Sequence, residues 1–284
     1  MRNRCLGSQL RRAVLAGMLG MFAASVMPAQ TEQHYVGLTY IQTLPGKADE
    51  FRKFAETEMV KLGRMGVEEG VLDSYYVLRL TAPYTAGSDY HYIQANRPSL
   101  APLDMKVWEA RAKKAGYGSY QQYIDKRDSM SKIVRTSWRI STARIGDIRA
   151  GSYMRSVAYQ VEPEFRQEMA RFLQEYTMPI AQARINDGSA LGWGVTQPAP
   201  AIMSNDEAGF SYSVSYIIKD ADTLMAGPGS LSEELFKKAV PGKTYSVYLN
   251  ELNRLNAHRK TVMTRIYEVV TVVGMPPKVT LPAL

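Results

Sequence analysis

The sequence predicts an α+β fold built from two copies of one β-α-β-β-α-β unit. Three observations predict it. Lys113-Lys114-Ala115 followed by Tyr120-x-x-Tyr123 returns as Lys237-Lys238-Ala239 followed by Tyr245-x-x-Tyr248. Glu50-Phe51-Arg52 opens the first helix of one half and Glu164-Phe165-Arg166 that of the other, while Val134-x-Thr136 and Val262-x-Thr264 begin the last strands. The hydrophobic periodicity also passes through one order of strands and helices twice.

The elements of the first half follow from local pattern. Residues 35–42 alternate around Thr and Tyr and predict a strand. Pro45-Gly46 is a turn. Phe51, Ala55, Met59, Leu62 and Met65 then fall at helical spacing, and Gly70 closes that helix. Residues 71–80 are β-branched and aromatic, so strand; 81–89 hold Pro83, Gly87 and Ser88, so loop; 90–94 form another strand. Residues 104–115 and 120–132 read as helices around the break at 116–118, and 133–140 return to strand.

The second half repeats the order. Residues 152–161 are strand, and Pro163 starts a helix at a position that tolerates proline. Its apolar face is Phe165, Met169, Phe172, Tyr176 and Ile180, and Gly188 breaks it as Gly70 does the first. Strands follow at 191–196 and 210–218 around a Pro-containing loop at 197–209. Helices at 231–240 and 244–259, split by Pro241-Gly242, lead to a last strand at 261–273. The domains are therefore 1–29, 30–147, 148–275 and a frayed Pro-containing tail at 276–284.

Residues 1–29 have the layout of a secretory signal. Arg2, Arg4, Arg11 and Arg12 precede an apolar stretch at 13–26, and Ala29 offers a small residue for cleavage. The stretch is shorter than the ~20 residues of a membrane span. The protein is expected to be exported, to the periplasm or beyond, by general secretion or through the twin-arginine route that Arg11-Arg12 partly fits. Cleavage removes four of the 35 basic residues and none of the 27 acidic ones, so the mature charge is 31 − 27 = +4. With no long Lys/Arg run, a nucleic-acid partner is not expected. The single cysteine, Cys5, leaves with the signal, so the mature chain has no disulfide, thiolate nucleophile or Cys metal site.

Familiar catalytic signatures are missing. There is no Gly-x-Ser-x-Gly elbow, His-Glu-x-x-His or Walker loop, and Gly116-Tyr117-Gly118 and Gly192-Trp193-Gly194 lack a third glycine. His34, His91 and His258 are too few and scattered for a multi-histidine metal site. Attention falls on single residues. Strand alternation over 90–94 puts Tyr90, Tyr92 and Gln94 on one face and His91 with Ile93 on the other. Arg155 shares a face with Tyr153, Val157 and Tyr159, where a guanidinium needs a partner or a ligand. Trp193, flanked by glycines, can cap a pocket. The abundance of tyrosine (18) over phenylalanine (7) suits a cavity for an aromatic or apolar ligand. Tyr120/Tyr123 and Tyr245/Tyr248, recurring in both halves, are assigned to packing.

The order of elements is that of the ferredoxin-like fold. With Pro45-Gly46-Lys47-x-x-Glu50-Phe51 and the Glu-Phe-Arg openings, nearly all of the mature chain resembles the dimeric α+β barrel superfamily in a fused, tandem form. The resemblance implies two half-sheets packed sheet to sheet as one intramolecular barrel. It implies small-molecule binding, with cofactor-independent oxygenase chemistry on an aromatic or apolar substrate as the enzyme version. There His91 is the base, and Tyr90, Tyr92 or Arg155 orients. No cofactor is expected in that case. The alternative that the family implies is haem, with His258 as axial ligand. A non-catalytic envelope protein that mediates assembly is the third reading. Function is expected where the halves differ: His91, Trp193 and the loops at 81–89 and 197–209.

Overall fold

The computed structural model describes residues 34–82, 90–98, 104–199, 209–226, 231–275 and 278–279. The expected signal segment, most of both β-β loops and most of the tail lie outside the described residues. Among those described, no helix is long and apolar enough to cross a membrane.

Eight antiparallel strands close into one barrel in the order β1-β3-β2-β8-β5-β7-β6-β4. The first half supplies β1 (His34–Thr43), β2 (Leu72–Ala82), β3 (Tyr92–Pro98) and β4 (Ser131–Gly146). The second supplies β5 (Tyr153–Val161), β6 (Gly192–Pro198), β7 (Tyr212–Ile218) and β8 (Arg259–Val273). Two further ladders, β2 with β8 and β4 with β6, join the halves along both edges. The half-sheets are thus hydrogen-bonded into a continuous wall, not merely laid face to face.

Among the described residues, seven helices cover the outside. In the first half α1 runs over 48–68, followed by α2 (Met105–Lys114) and α3 (Tyr120–Asp128). In the second, α4 runs over 163–186, with α5 (Ala221–Ala226), α6 (Glu233–Ala239) and α7 (Tyr245–Asn256). Side-chain caps fix three starts: Asp104 accepts from the Lys106 N–H (2.8 Å), Ser119 from Gln122 (3.2 Å) and Ser232 from Leu235 (3.1 Å). The short α5 was not expected from the sequence. β4 extends beyond the expected 133–140 at both ends, and β8 begins where helix was expected.

Strand alternation sorts the core into three clusters. Between the first half-sheet and its helices lie Ile41, Tyr75, Val77 and Tyr92 against Phe51, Phe54 and Leu62. Between the second half-sheet and its helices lie Trp193, Val195, Tyr212 and Val214 against Phe172, Tyr176 and Phe236. The lumen holds the third, with Val36, Leu38, Tyr40, Leu78, Ile93, Ile217 and Tyr267. The repeated tyrosines sit under the helix layers: Tyr123 stacks on Phe54 (5.5 Å between centroids) and Tyr248 on Phe172 (5.6 Å).

The two halves agree in detail. Both first helices contain a π-helical turn, Ala55–Met59 in α1 and Leu173–Thr177 in α4. Both end on a glycine at positive φ, Gly70 (70°) and Gly188 (80°). These landmarks shift the Glu-Phe-Arg repeat out of step. Phe51 lies 70 − 51 = 19 residues before its glycine and Phe165 lies 188 − 165 = 23, one helical turn more. Phe51 is fully buried inside α1, whereas Phe165 belongs to the 3₁₀ turn that starts α4.

Each edge ladder ends on a matching glycine. Gly146 (φ 73°) closes β4, and a Cβ there would meet the Leu191 carbonyl oxygen at 2.3 Å. Gly274 (φ 70°) follows β8, and a Cβ there would meet the Asp73 carbonyl oxygen at 2.6 Å. The tail is not wholly frayed: Val279 exchanges backbone bonds with Arg144 at 2.6 and 3.1 Å.

Candidate functional site

The second half carries a groove of about 150 Å³ between its helix layer and the outer face of its sheet. Thr177, Ile180 and Arg184 reach it from one face of α4, at i, i+3 and i+7. Arg155 of β5 and Tyr216 of β7 stand directly opposite in the ladder and enter from the sheet side. Ile218, Leu231 and Tyr248 complete the wall. Thr177 is the last residue of the π-helical turn, a local irregularity that often accompanies binding sites.

Its charges are arranged unevenly. Arg155 is exposed at the mouth, whereas Arg184 is 6% exposed. Burial pushes the Tyr216 phenol up to about 12, with the Arg184 guanidinium the leading influence that pulls it back. Tyr216 therefore stays a neutral hydrogen-bond donor at physiological pH, beside two cations. An acidic group fits that surrounding and the apolar walls fit a hydrocarbon body.

Among the described residues, the first half packs tightly at the corresponding place. Gly66 and Arg184 each lie four residues before the closing glycine of their helix. At Gly66 the helix lies so close that a Cβ would come within 2.8 Å of Leu72, and at Gly63 within 2.4 Å of the Tyr75 ring. The second half has Arg184 and Ala181 at these places, so side chains occupy the space that the two glycines leave free.

The structure does not bring the residues expected from sequence into one site. Tyr90 and Tyr92 do not share a face. Tyr90 precedes β3 and turns into the lumen, where its hydroxyl meets that of Tyr267 at 2.9 Å; Tyr92 packs on Phe51 under α1 (4.8 Å). Strand alternation therefore fails across 90–92. Trp193 is 1% exposed under the helices of the second half and also borders the lumen. Of the expected residues, Arg155 alone lies in the groove.

His91 sits at the rim of the first half. Its Nδ1 accepts from the Thr43 N–H (3.1 Å) and lies 2.6 Å from the Thr43 hydroxyl. The equivalent position in the second half is Ser211, whose hydroxyl accepts from the Val161 N–H at 2.9 Å. Both side chains hold the end of the first strand of their half, and His91 does not border the groove of the second half. Burial lowers the His91 pKa. The stability linked to the neutral ring is full above the unfolded-state pKa and is lost as pH falls through the lower folded value. A His91→Gln chain should therefore lose less stability than the parent between about pH 7 and pH 5. Urea unfolding at each pH checks this; parallel losses in both chains would refute it.

His258, the axial ligand expected in the haem alternative, is half-buried immediately before β8. Its ring lies flat on Phe165, 3.5 Å between centroids, and its Nδ1 is 2.8 Å from Glu162. It borders neither the groove nor the lumen cavity. Among the described residues, no cluster of three His, Asp or Glu side chains is placed to hold a metal ion.

No sequence-family model matches the chain, and no curated protein does. Solved structures share its architecture. A candidate monooxygenase of Fusobacterium nucleatum superposes with a TM-score of 0.53 at 11% identity, over 87% of this chain and 98% of that one. A candidate monooxygenase of Lactobacillus acidophilus superposes at 0.50 and 7% identity, over 86% and 99%. These likenesses show the fold alone, an antiparallel barrel covered by helices.

Sequence reasoning missed Arg184, Tyr216 and Tyr248 as a group. Arg184 follows Ile180 at i+4, so the apolar face of α4 ends on a cation. Tyr216 pairs with Arg155 only once the β5–β7 register is known.

Proposed function

We propose that this chain is an exported, duplicated α+β barrel that binds a small aromatic or apolar molecule carrying an acidic group. The molecule lies in the groove between α4, α7 and the outer face of β5 and β7. The observation that carries the reading is Tyr216 set among Arg155, Arg184 and apolar walls, in a half whose counterpart is closed by Gly63 and Gly66. Duplication is supported by the paired π-helical turns and by the matching glycines, Gly146 and Gly274. Export is supported by the basic start and apolar stretch of residues 1–29.

In the enzyme version, the substrate is an electron-rich aromatic with an acidic hydroxyl. The two guanidiniums favour its anion, so the proton leaves to solvent at the open mouth. Tyr216 donates to the oxyanion, and Ile180 and Ile218 hold the ring. The substrate anion supplies the electrons for reaction with dioxygen; the protein supplies position and charge.

Calorimetric titration with salicylate tests the binding. Saturable binding is expected, weakened about tenfold to a hundredfold by Arg184→Met and by less in the exposed Arg155→Ala. Equal affinities in parent and Arg184→Met would sink the reading.

A further inference from the structure

The lumen of the barrel holds a cavity of about 110 Å³, lined by other residues than the outer groove. It owes its space to a difference between the halves. In the first half Leu38 stands opposite Ala95 and Tyr40 opposite Ile93, while Tyr76 and Leu78 pair with the same Ala95 and Ile93 from the other side. In the second half the matching pairs are Ser156 with Ser215 and Ala158 with Ser213, while Gly194 and Thr196 pair with the same two serines. A bulky, mainly apolar inward patch in one half has become a small, hydroxyl-rich patch in the other. Gly194 leaves open space: within 4 Å, among the described residues, a Cβ there would meet only the Ala143 carbonyl oxygen, at 3.3 Å.

The strand order sets the two patches on opposite sides of the barrel. The cavity therefore has one wall of Leu38, Leu78 and Ile93 and another carrying the hydroxyls of Ser156, Thr196 and Ser215. Ser156 shares a hydrogen bond with Ser213 behind it, 2.8 Å between the oxygens. Two hydroxyls hold two protons, and that bond uses one of them. Hydroxyls both donate and accept, so this wall can satisfy a neutral oxygen without any counter-charge. Arg139 and Arg144 also border the cavity and are engaged with partners of their own, so the lining makes no call for an anion.

We propose that the lumen is a second ligand site, taking a small neutral molecule with a hydrocarbon body and one hydroxyl or carbonyl oxygen. The oxygen meets the hydroxyls of Ser156, Thr196 and Ser215, and the hydrocarbon lies against Leu38, Leu78 and Ile93. The size sets the class: a cavity of about 150 Å³ accommodates benzene in other proteins, so this one suits about four to six heavy atoms.

The full chain, with isotope-labelled methionine methyls, is titrated with n-butanol and followed by NMR. Met154 and Met263 border the cavity, whereas Met178 packs among the helices of the second half. Saturable shifts are expected at the first two and not at Met178. Thr196→Val combined with Ser215→Ala removes two hydroxyls with little change of shape, and should weaken binding about tenfold. Ser215→Leu should fill the cavity and abolish the shifts, with its fold verified by circular dichroism. Arg155→Ala, in the outer groove, should leave them unchanged. Absence of saturable shifts at Met154 and Met263, equal shifts at Met178, or unaltered affinity in either lumen variant would overturn the proposal; loss of the shifts in Arg155→Ala would overturn it as well and assign the alcohol to the outer groove.

Discussion

Replacing Phe236 by alanine should cost about 3–5 kcal/mol of stability. Phe236 is fully buried, with ring centroids 5.1 Å from Tyr248, 5.4 Å from Tyr245 and 6.3 Å from Tyr176. It is the centre of the aromatic layer between α4, α6 and α7. Removing it leaves a cavity that three other rings cannot close without leaving their rotamers. For a domain of this size the loss corresponds to about 10 °C in Tm. Tyr248 also forms a wall of the groove, so salicylate affinity should fall in the same variant. A loss below about 1 kcal/mol would mean that the layer repacks and that the groove does not depend on it.

The second large effect is expected at Gly146→Ala. The backbone there is left-handed, which costs a residue with a Cβ about 1–2 kcal/mol. The Leu191 carbonyl oxygen, 2.3 Å from the added carbon, belongs to the backbone and cannot swing aside. Strain and displacement together should reach about 3 kcal/mol or more. The damage should be local to the β4–β6 edge, where hydrogen exchange of 192–198 would rise ahead of that of β1 and β3. Gly274→Ala should act in the same way on the β2–β8 edge. Uniform exchange across all strands would show instead that the edge ladders have no separate role in closing the barrel.

The order of strands and helices could be read from the sequence because periods of two and 3.6 are local properties. Faces were harder. Arg135, Ser137, Arg139 and Ser141 alternate along β4, which ordinarily marks a solvent side. In this barrel the helices claim the apolar face, and the polar row turns inward; Arg135 lies over the Tyr40 ring at 4.1 Å. Tyr90 and Tyr92 failed as a pair because β3 begins only at Tyr92. His91 drew attention as a rare titratable residue, and Ser211 makes the matching backbone contact in the other half. Such a match shows only when two ladders are aligned. The groove was invisible for a different reason. Its cations come from β5 and α4, and nothing in either segment announces the other.

The two edge ladders carry a consequence for mass action. Both ladders that close the barrel form within one chain, so closure needs no encounter between molecules. Its Tm should then be independent of protein concentration as far as barrel closure is concerned, unlike that of a barrel assembled from two subunits. The same arrangement frees each half from having to be its own partner. A substitution such as an arginine in place of Gly66 would appear twice in a symmetric dimer; here it occurs once, at Arg184, and one side of the barrel can open a groove while the other stays shut.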